Sequence, residues 1–362
     1  MFYYVLYPLR ELWFGFNVFR YITFRASMAA VTSFLICVIF GPPIIRRLRK
    51  LNIGQYVRKE HVDGISHLLK HKEGTPTMGG ILILIAVLVS ALLWCRIDND
   101  YVIMVMAGMV WLGVIGFIDD YIKLKNKSAK GIAGVTKLAG QVVLALIIGI
   151  FVIKNNAIGS GLYVPFMKNA VVNLGMFYIL FVLVVIVGAS NAVNLTDGLD
   201  GLAVGCVVFI SLTYAVVSYV TGNATLAKYL QVFYLPGAGE LTVFCAALAG
   251  AGLGFLWFNS HPASVFMGDT GSLALGGTIA IISVLIKKEV LLVITGGVLV
   301  VESLSVILQV LSFKMRKKRL FLMSPIHHHF QVKGWHESKI TIRFWIIAAI
   351  LALLSMTTLK VR

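Results

Sequence analysis

Two adjacent carboxylates, Asp119 and Asp120, end an apolar run that begins near Val102, and Lys123 follows one helical turn beyond Asp119 on the same face. An ionised Asp at the centre of a bilayer costs roughly 2.5 to 3.5 kcal/mol on insertion scales, so a vicinal pair at the end of a hydrophobic helix calls for a reason. At a membrane interface both can stay charged. They are there as a plain helix end or as part of a site, and the polar motifs that recur elsewhere favour the site. The stretch from Ser190 to Gly201 sets Asn191, Asn194, Asp197 and Asp200 three apart. Each step of three lags a full turn by about 60°, so the four groups spread over about half of a straight helix. Asn191 and Asn194 are expected to serve one part of a site, and Asp197 and Asp200, near a helix start, another. Such groups suit a hard cation such as Mg²⁺, directly or through water, or hydrogen bonds to a sugar or base. Helix N-capping would use only one or two of them.

A third acidic locus lies in the loop from Phe258 to Ser272, which also carries Asn259 and Phe266. Asp269, between Gly268 and Thr270-Gly271, sits where backbone N–H groups at a helix start could face a phosphate; alone, the pattern is often only a turn. His327, His328 and His329 follow the basic run Lys314 to Arg319. Adjacent residues point in different directions and no second Cys/His cluster accompanies them, which argues against zinc. Phosphate binding or proton transfer suits imidazoles that titrate near neutral pH. Gly74-Thr75-Pro76-Thr77-Met78-Gly79-Gly80, after Lys70 and Lys72, lacks the Gly-Lys-Ser/Thr ending of a Walker loop and reads alone as the start of a helix. Acidic residues to hold Mg²⁺ on a pyrophosphate, and lysines to neutralise a departing nucleotide, together describe phosphate chemistry.

The elements that must position these groups are membrane helices. Of 362 residues, 59% are hydrophobic and 13% charged, with a mean hydropathy of +0.90, outside the range of soluble globular proteins. Continuous apolar runs without period-two alternation exclude a β-barrel. Runs long enough to span fall near 22–45, 78–95, 101–118, 135–153, 171–189, 199–221, 240–258, 272–287, 289–311 and 341–359. The expected fold is all-α and polytopic, about ten transmembrane helices in a single domain over 1–362. Residues 1 to 20, aromatic around Arg10 and Glu11, suit an interfacial helix retained in the mature protein.

Ten spans sort the loops into two sets. Loops 46–77, 119–137 and 314–343 hold eight, five and eight of the 32 lysines and arginines, so their side is expected to be cytoplasmic. Asp119-Asp120, the Asn/Asp series, Asp269 and the histidines all fall on that side. The net charge of +17 lies in these short loops, which points to topology and to anionic lipid or phosphate partners, not to nucleic acid. Cys37, Cys95, Cys206 and Cys245 lie in or beside apolar segments without CxxC spacing and read as packing residues.

Asp119-Asp120-Tyr121-Ile122-Lys123, the series Asn191 to Gly201, Phe266-Met267-Gly268-Asp269-Thr270-Gly271-Ser272 and Pro325-Ile326-His327-His328-His329-Phe330 jointly resemble the phospho-N-acetylmuramoyl-pentapeptide transferases. These belong to the wider polyprenyl-phosphate N-acetylhexosamine-1-phosphate transferase superfamily, which shares the acidic motifs. Thr75 to Gly80 is similar to the family's opening motif, and with the triple His it points to the muramoyl branch. The resemblance covers nearly the whole chain. It implies Mg²⁺-dependent transfer of phospho-N-acetylmuramoyl-pentapeptide from its UDP carrier to undecaprenyl phosphate. The products are lipid I and UMP, at the cytoplasmic face of a bacterial inner membrane, in a homodimer embedded in the bilayer and acting in peptidoglycan synthesis. By the same resemblance Asp269 ligates Mg²⁺, Asp119 and Asp120 are catalytic, and His328 completes the catalytic set. Lys72, Lys123 and Lys137 contact phosphates. Asn191, Asn194, Asp197, Asp200, Asn259 and Phe266, with His327 and His329, bind substrate.

Two other functions are consistent with parts of this pattern. A sister transferase using UDP-N-acetylglucosamine would keep the carboxylates and change the sugar-side loops. A transporter would use intramembrane carboxylates for protons or cations, but it would place them at the midplane and show internal repeats.

Overall fold

The computed structural model describes residues 1–50, 74–126, 128, 131–167 and 171–360. The described chain is helical almost throughout, with ten apolar helices: α1 Ile22–Lys50, α2 Gly80–Trp94, α3 Asp100–Lys125, α4 Gly134–Lys154, α5 Tyr178–Thr196, α6 Leu202–Thr221, α7 Glu240–Asn259, α8 Gly268–Leu285, α9 Gly297–Arg316 and α10 Glu337–Thr357. Nine are long and apolar enough to cross a membrane; α2, with 15 residues, is shorter. Each lies where an apolar run places one, and the architecture is that of an all-α polytopic membrane protein.

Three boundaries differ from the apolar runs. The run at 171–189 begins as one strand of a short antiparallel pair, Gly161–Leu162 against Val172–Asn173, so α5 starts only at Tyr178. The run at 289–311 is broken at Gly296, which separates a short helix, Glu289–Thr295, from α9. Residues 2–20 form three short helical pieces, Phe2–Leu6, Tyr7–Glu11 and Phe14–Arg20, the last set off from the others where the backbone turns extended at Trp13.

The core is organised around α8. Every residue from Thr270 to Leu285 is buried, as expected of a helix that is apolar all round. Small residues let its neighbours close on it. A Cβ on Gly116 of α3 would run into the Asp269 carbonyl, and one on Gly80 of α2 into the Gly271 backbone. Without a hydrophobic force between helices inside a bilayer, such backbone approach is what gives a helix bundle its packing energy. By contrast α9 buries only Val298, Leu299, Glu302 and Ser305.

Candidate active site

The C-terminal ends of α3, α5 and α7 and the N-terminal ends of α2, α4 and α8 meet at one end of the bundle. There α8 begins beside Asp120, whose carboxylate accepts hydrogen bonds from Asp269 N (3.2 Å), Thr270 N (2.9 Å) and Thr270 Oγ1 (2.7 Å). The first amides of a helix have no intrahelical partners and carry the positive end of its dipole, so a buried carboxylate from α3 takes the place of a cap. Asp120 is 3% exposed and fully engaged in holding the helix that carries Asp269.

Asp119, one residue earlier and about 100° round α3, turns toward different partners. Its Oδ2 lies 2.6 Å from Lys123 Nζ and 3.2 Å from Lys137 Nζ, and its Oδ1 accepts from Ile132 N at 2.8 Å. The same two ammoniums reach Asp269 Oδ2, at 3.0 Å from Lys123 and 2.6 Å from Lys137. Asp269 Oδ1 accepts from Asn194 Nδ2 (2.8 Å), which also donates to Ser272 Oγ (2.8 Å). Oxygens of Asp119, Asp120 and Asp269 come within 4.8 Å of one another. Asp119 is 1% exposed, while the Lys123 and Lys137 side chains keep 31% and 20% of their surface. The cluster is therefore closed beneath and open on the lysine side. Three carboxylates against two ammoniums leave an excess of acid, and the donors are all hard oxygens, the set that suits Mg²⁺.

The stretch before α2 brackets this cluster. Phe266 N donates to Pro76 O, Gly79 N to Phe266 O and Gly80 N to Met267 O, each at 2.8 Å, so Pro76 to Gly80 holds the loop that delivers Asp269. Read alone it is only a helix start; beside residues 266–267 it is a clamp.

The remaining candidates sit around this centre in other roles. Asn191, one turn behind Asn194, donates to Gln141 Oε1 (3.0 Å) and Val187 O (2.8 Å), away from the three carboxylates. Asp197 follows the last residue of α5 and is half-buried, as is Phe266. Asp200 is buried; its Oδ2 accepts from Ala263 N (3.1 Å) and lies 3.1 Å from His261 Nδ1, and its own N donates to Glu337 Oε1 (2.7 Å). Asn259, also buried, accepts from Gly201 N (3.1 Å) and donates to Val265 O (2.8 Å). Asp200 and Asn259 thus lock the loop after α5 to the loop after α7. The three histidines open onto three different neighbours: His327 Nδ1 onto Glu302 Oε2 (3.0 Å), His328 Nδ1 onto Gln331 Oε1 (2.7 Å), and His329 Nδ1 accepts from Leu322 N (3.2 Å). Lys72 lies outside the described residues.

Thr270, Ser272, Gln141, Glu302 and Glu337 take part in this network without having been singled out in the sequence. Glu302 alone carried a signal, as a single carboxylate within an apolar run. The others are ordinary polar residues whose partners lie far along the chain.

The chain is similar to known proteins along its whole length. The family described as Glycosyl transferase family 4 matches residues 102–287, and the phospho-N-acetylmuramoyl-pentapeptide-transferase signature 1 matches residues 72–84. The phospho-N-acetylmuramoyl-pentapeptide-transferase of Desulfotalea psychrophila is 53% identical over 363 residues, and that of Citrifermentans bemidjiense 52% over 362. The one from Brachyspira hyodysenteriae is 47% identical over 387 residues, and all three alignments cover 100% of both chains.

Proposed function

The chain belongs to the phospho-N-acetylmuramoyl-pentapeptide-transferases, and on that premise we propose how its own residues carry the reaction. The protein transfers phospho-N-acetylmuramoyl-pentapeptide from UDP to undecaprenyl phosphate. An oxygen of the lipid phosphate attacks the sugar-side phosphorus, the bond from that phosphorus to the bridging oxygen breaks, and UMP leaves, giving lipid I. The observation that carries this reading is the lysine-bridged group Asp119, Lys123, Lys137 and Asp269, where cations and carboxylates meet at the ends of three helices, α3, α4 and α8.

Lys123 and Lys137 bind phosphate oxygens, which their flexible stems and partial exposure allow. Asp119 takes the proton of the acceptor phosphate, since its Oδ2 faces the lysines, whereas both oxygens of Asp120 are committed to α8. Asp120 acts through Asp269 by fixing the start of α8. Mg²⁺, held by Asp269 with Asp119 in reach, would supply positive charge to the diphosphate. Asn194 keeps Asp269 in place. Asp197, Asp200, Asn259 and Phe266 shape the nucleotide side, and His328 with its neighbours closes the site. The excess of lysine and arginine in the loops at this end of the bundle supports a cytoplasmic position for it.

The test is purified protein with UDP-N-acetylmuramoyl-pentapeptide, undecaprenyl phosphate and Mg²⁺, assayed for lipid I and UMP. Release of UMP requiring both substrates and the cation is the expected result. Turnover with UDP-N-acetylglucosamine instead would move the chain to the sister reaction.

A further inference from the structure

Glu302 is a carboxylate in the second turn of α9, fully enclosed, in a segment apolar enough to span a membrane. Its Oε2 lies 3.0 Å from His327 Nδ1, and His327 is equally enclosed. An ionised carboxylate only accepts, so in this pairing Nδ1 is the donor and the contact holds the ring in one orientation. The opposite nitrogen, Nε2, is buried without a hydrogen-bond partner among the described residues, and it packs against the backbone of Gly198 so closely that a Cβ there would collide with it. Gly198 stands between Asp197 and Asp200, and His327 precedes His328 and His329 on the short helix Ile326–Val332. An apolar pair would fill this space without desolvating a charge. A buried carboxylate fixes direction in a way that apolar packing does not.

We propose that Glu302 and His327 form a strut that sets the loop carrying Asp197 and Asp200 against the helix carrying His328 and His329, making Glu302 a positioning residue for binding the nucleotide-linked donor. This rests on the assignment of those two segments to the donor side under the proposed function. Glu302 and His327 bond to each other and to none of the lysine-bridged carboxylates among the described residues, so the strut governs donor affinity and leaves cation dependence alone.

Three variants of the full-length protein in detergent micelles test it: Glu302→Ala, Glu302→Gln and Gly198→Ala. The carboxylate partner of a metal-bound histidine is worth about 10- to 100-fold in affinity or activity, and on the same orienting logic Glu302→Ala is expected to raise the KM for UDP-N-acetylmuramoyl-pentapeptide about tenfold. The KM for the lipid and the Mg²⁺ dependence should stay within about twofold. Glu302→Gln, which keeps an accepting oxygen, should restore most of the donor affinity. Gly198→Ala, which pushes on the ring from its other side, should raise donor KM like Glu302→Ala. Imidazole ¹⁵N shifts of His327 should report a protonated Nδ1 in the wild type and in Glu302→Gln, and a mixture of tautomers in Glu302→Ala.

An unchanged donor KM in Glu302→Ala would overturn the proposal. So would equal losses in the Ala and Gln variants, or thermal unfolding at much lower temperature in both, because a purely structural role predicts these. If the wild type failed to use the donor at all, the functional reading would fall and the donor role with it, while the ¹⁵N shifts would still report whether Glu302 orients His327.

Discussion

The two ends of the helix bundle hold buried charge in different ways. At the end opposite the active site, where α2 finishes and α7 begins, Arg25 meets Glu240 through two parallel hydrogen bonds of 2.7 and 2.6 Å. The guanidinium also donates to Trp94 O at 3.1 Å, and Glu240 accepts from Arg96 N at 3.2 Å. One cation answers one carboxylate in a rigid fork, with both side chains enclosed. At the active-site end of α2 and α7, three carboxylates share two lysines, each a point charge on a flexible, partly exposed stem. The first arrangement balances its charge one to one, with only Arg25 Nε left unpartnered among the described residues. The second holds surplus acid and cations free to turn toward another anion, which a site for a metal and a diphosphate needs.

The sharpest way to break this contrast is Asp269→Asn. It removes the carboxylate that both lysines and Asn194 address, and transfer is expected to fall about a thousandfold or more, with weakened Mg²⁺ dependence and normal membrane insertion. Wild-type turnover would take Asp269 out of the metal role. Next come Asp119→Asn and Asp120→Asn, each expected to cut turnover by roughly a hundredfold or more. They should separate in stability. Both oxygens of Asp120 accept from α8, and the amide of its Asn variant replaces one of those acceptors by a donor, so that variant should also lose about 1 to 3 kcal/mol, seen as a lower melting temperature in detergent, whereas the Asp119 variant relieves acid crowding and should melt near the wild type. Near-normal rates in both would reduce the pair to an ordinary helix end.

Arg25→Met probes the other end. Leaving Glu240 buried and unpaired should cost about 3 to 5 kcal/mol of stability. The fraction that remains folded should turn over at the wild-type rate, because nothing at that end touches the carboxylate cluster. A drop in turnover per folded molecule would show that the ends are coupled.

Much of this was legible in the chain. Charged residues at the edges of apolar runs are rare enough to mark themselves, and Asp119, Asp120, Lys123, Lys137, Asn194 and Asp269 lie together in the structure. The division between the two adjacent aspartates was not legible. Successive residues on a helix differ by about 100°, and only the neighbouring helix decides what each one meets. The side chains of Asp200 and Asn259 also join two loops to each other, a long-range pairing that no local spacing reveals. The late start of α5 was hidden because Val171 and Val172 are as apolar in a strand as in a helix. Pro76 to Gly80 had no visible purpose until residues 266–267 lay beside it.

The smallest expected effect lies just beneath the cluster and tests how far the open arrangement extends. Asn191 donates to Gln141 Oε1, Gln141 Nε2 donates to Ser190 Oγ at 3.1 Å, and Ser190 Oγ donates to Leu273 O at 3.1 Å, so this string ties α4, α5 and α8 together one turn behind Asn194. Asn191→Ala leaves the Gln141 oxygen without its donor, which costs about 1 to 3 kcal/mol of stability when such a group is buried. Its effect on transfer comes only through a small shift of α5 under Asn194, and a loss of less than about tenfold is expected, shared between kcat and donor KM. The result to watch for is a rise in donor KM with stability unchanged. That would place Asn191 against the substrate itself and push the boundary between exchangeable and fixed polar groups one turn deeper into the bundle.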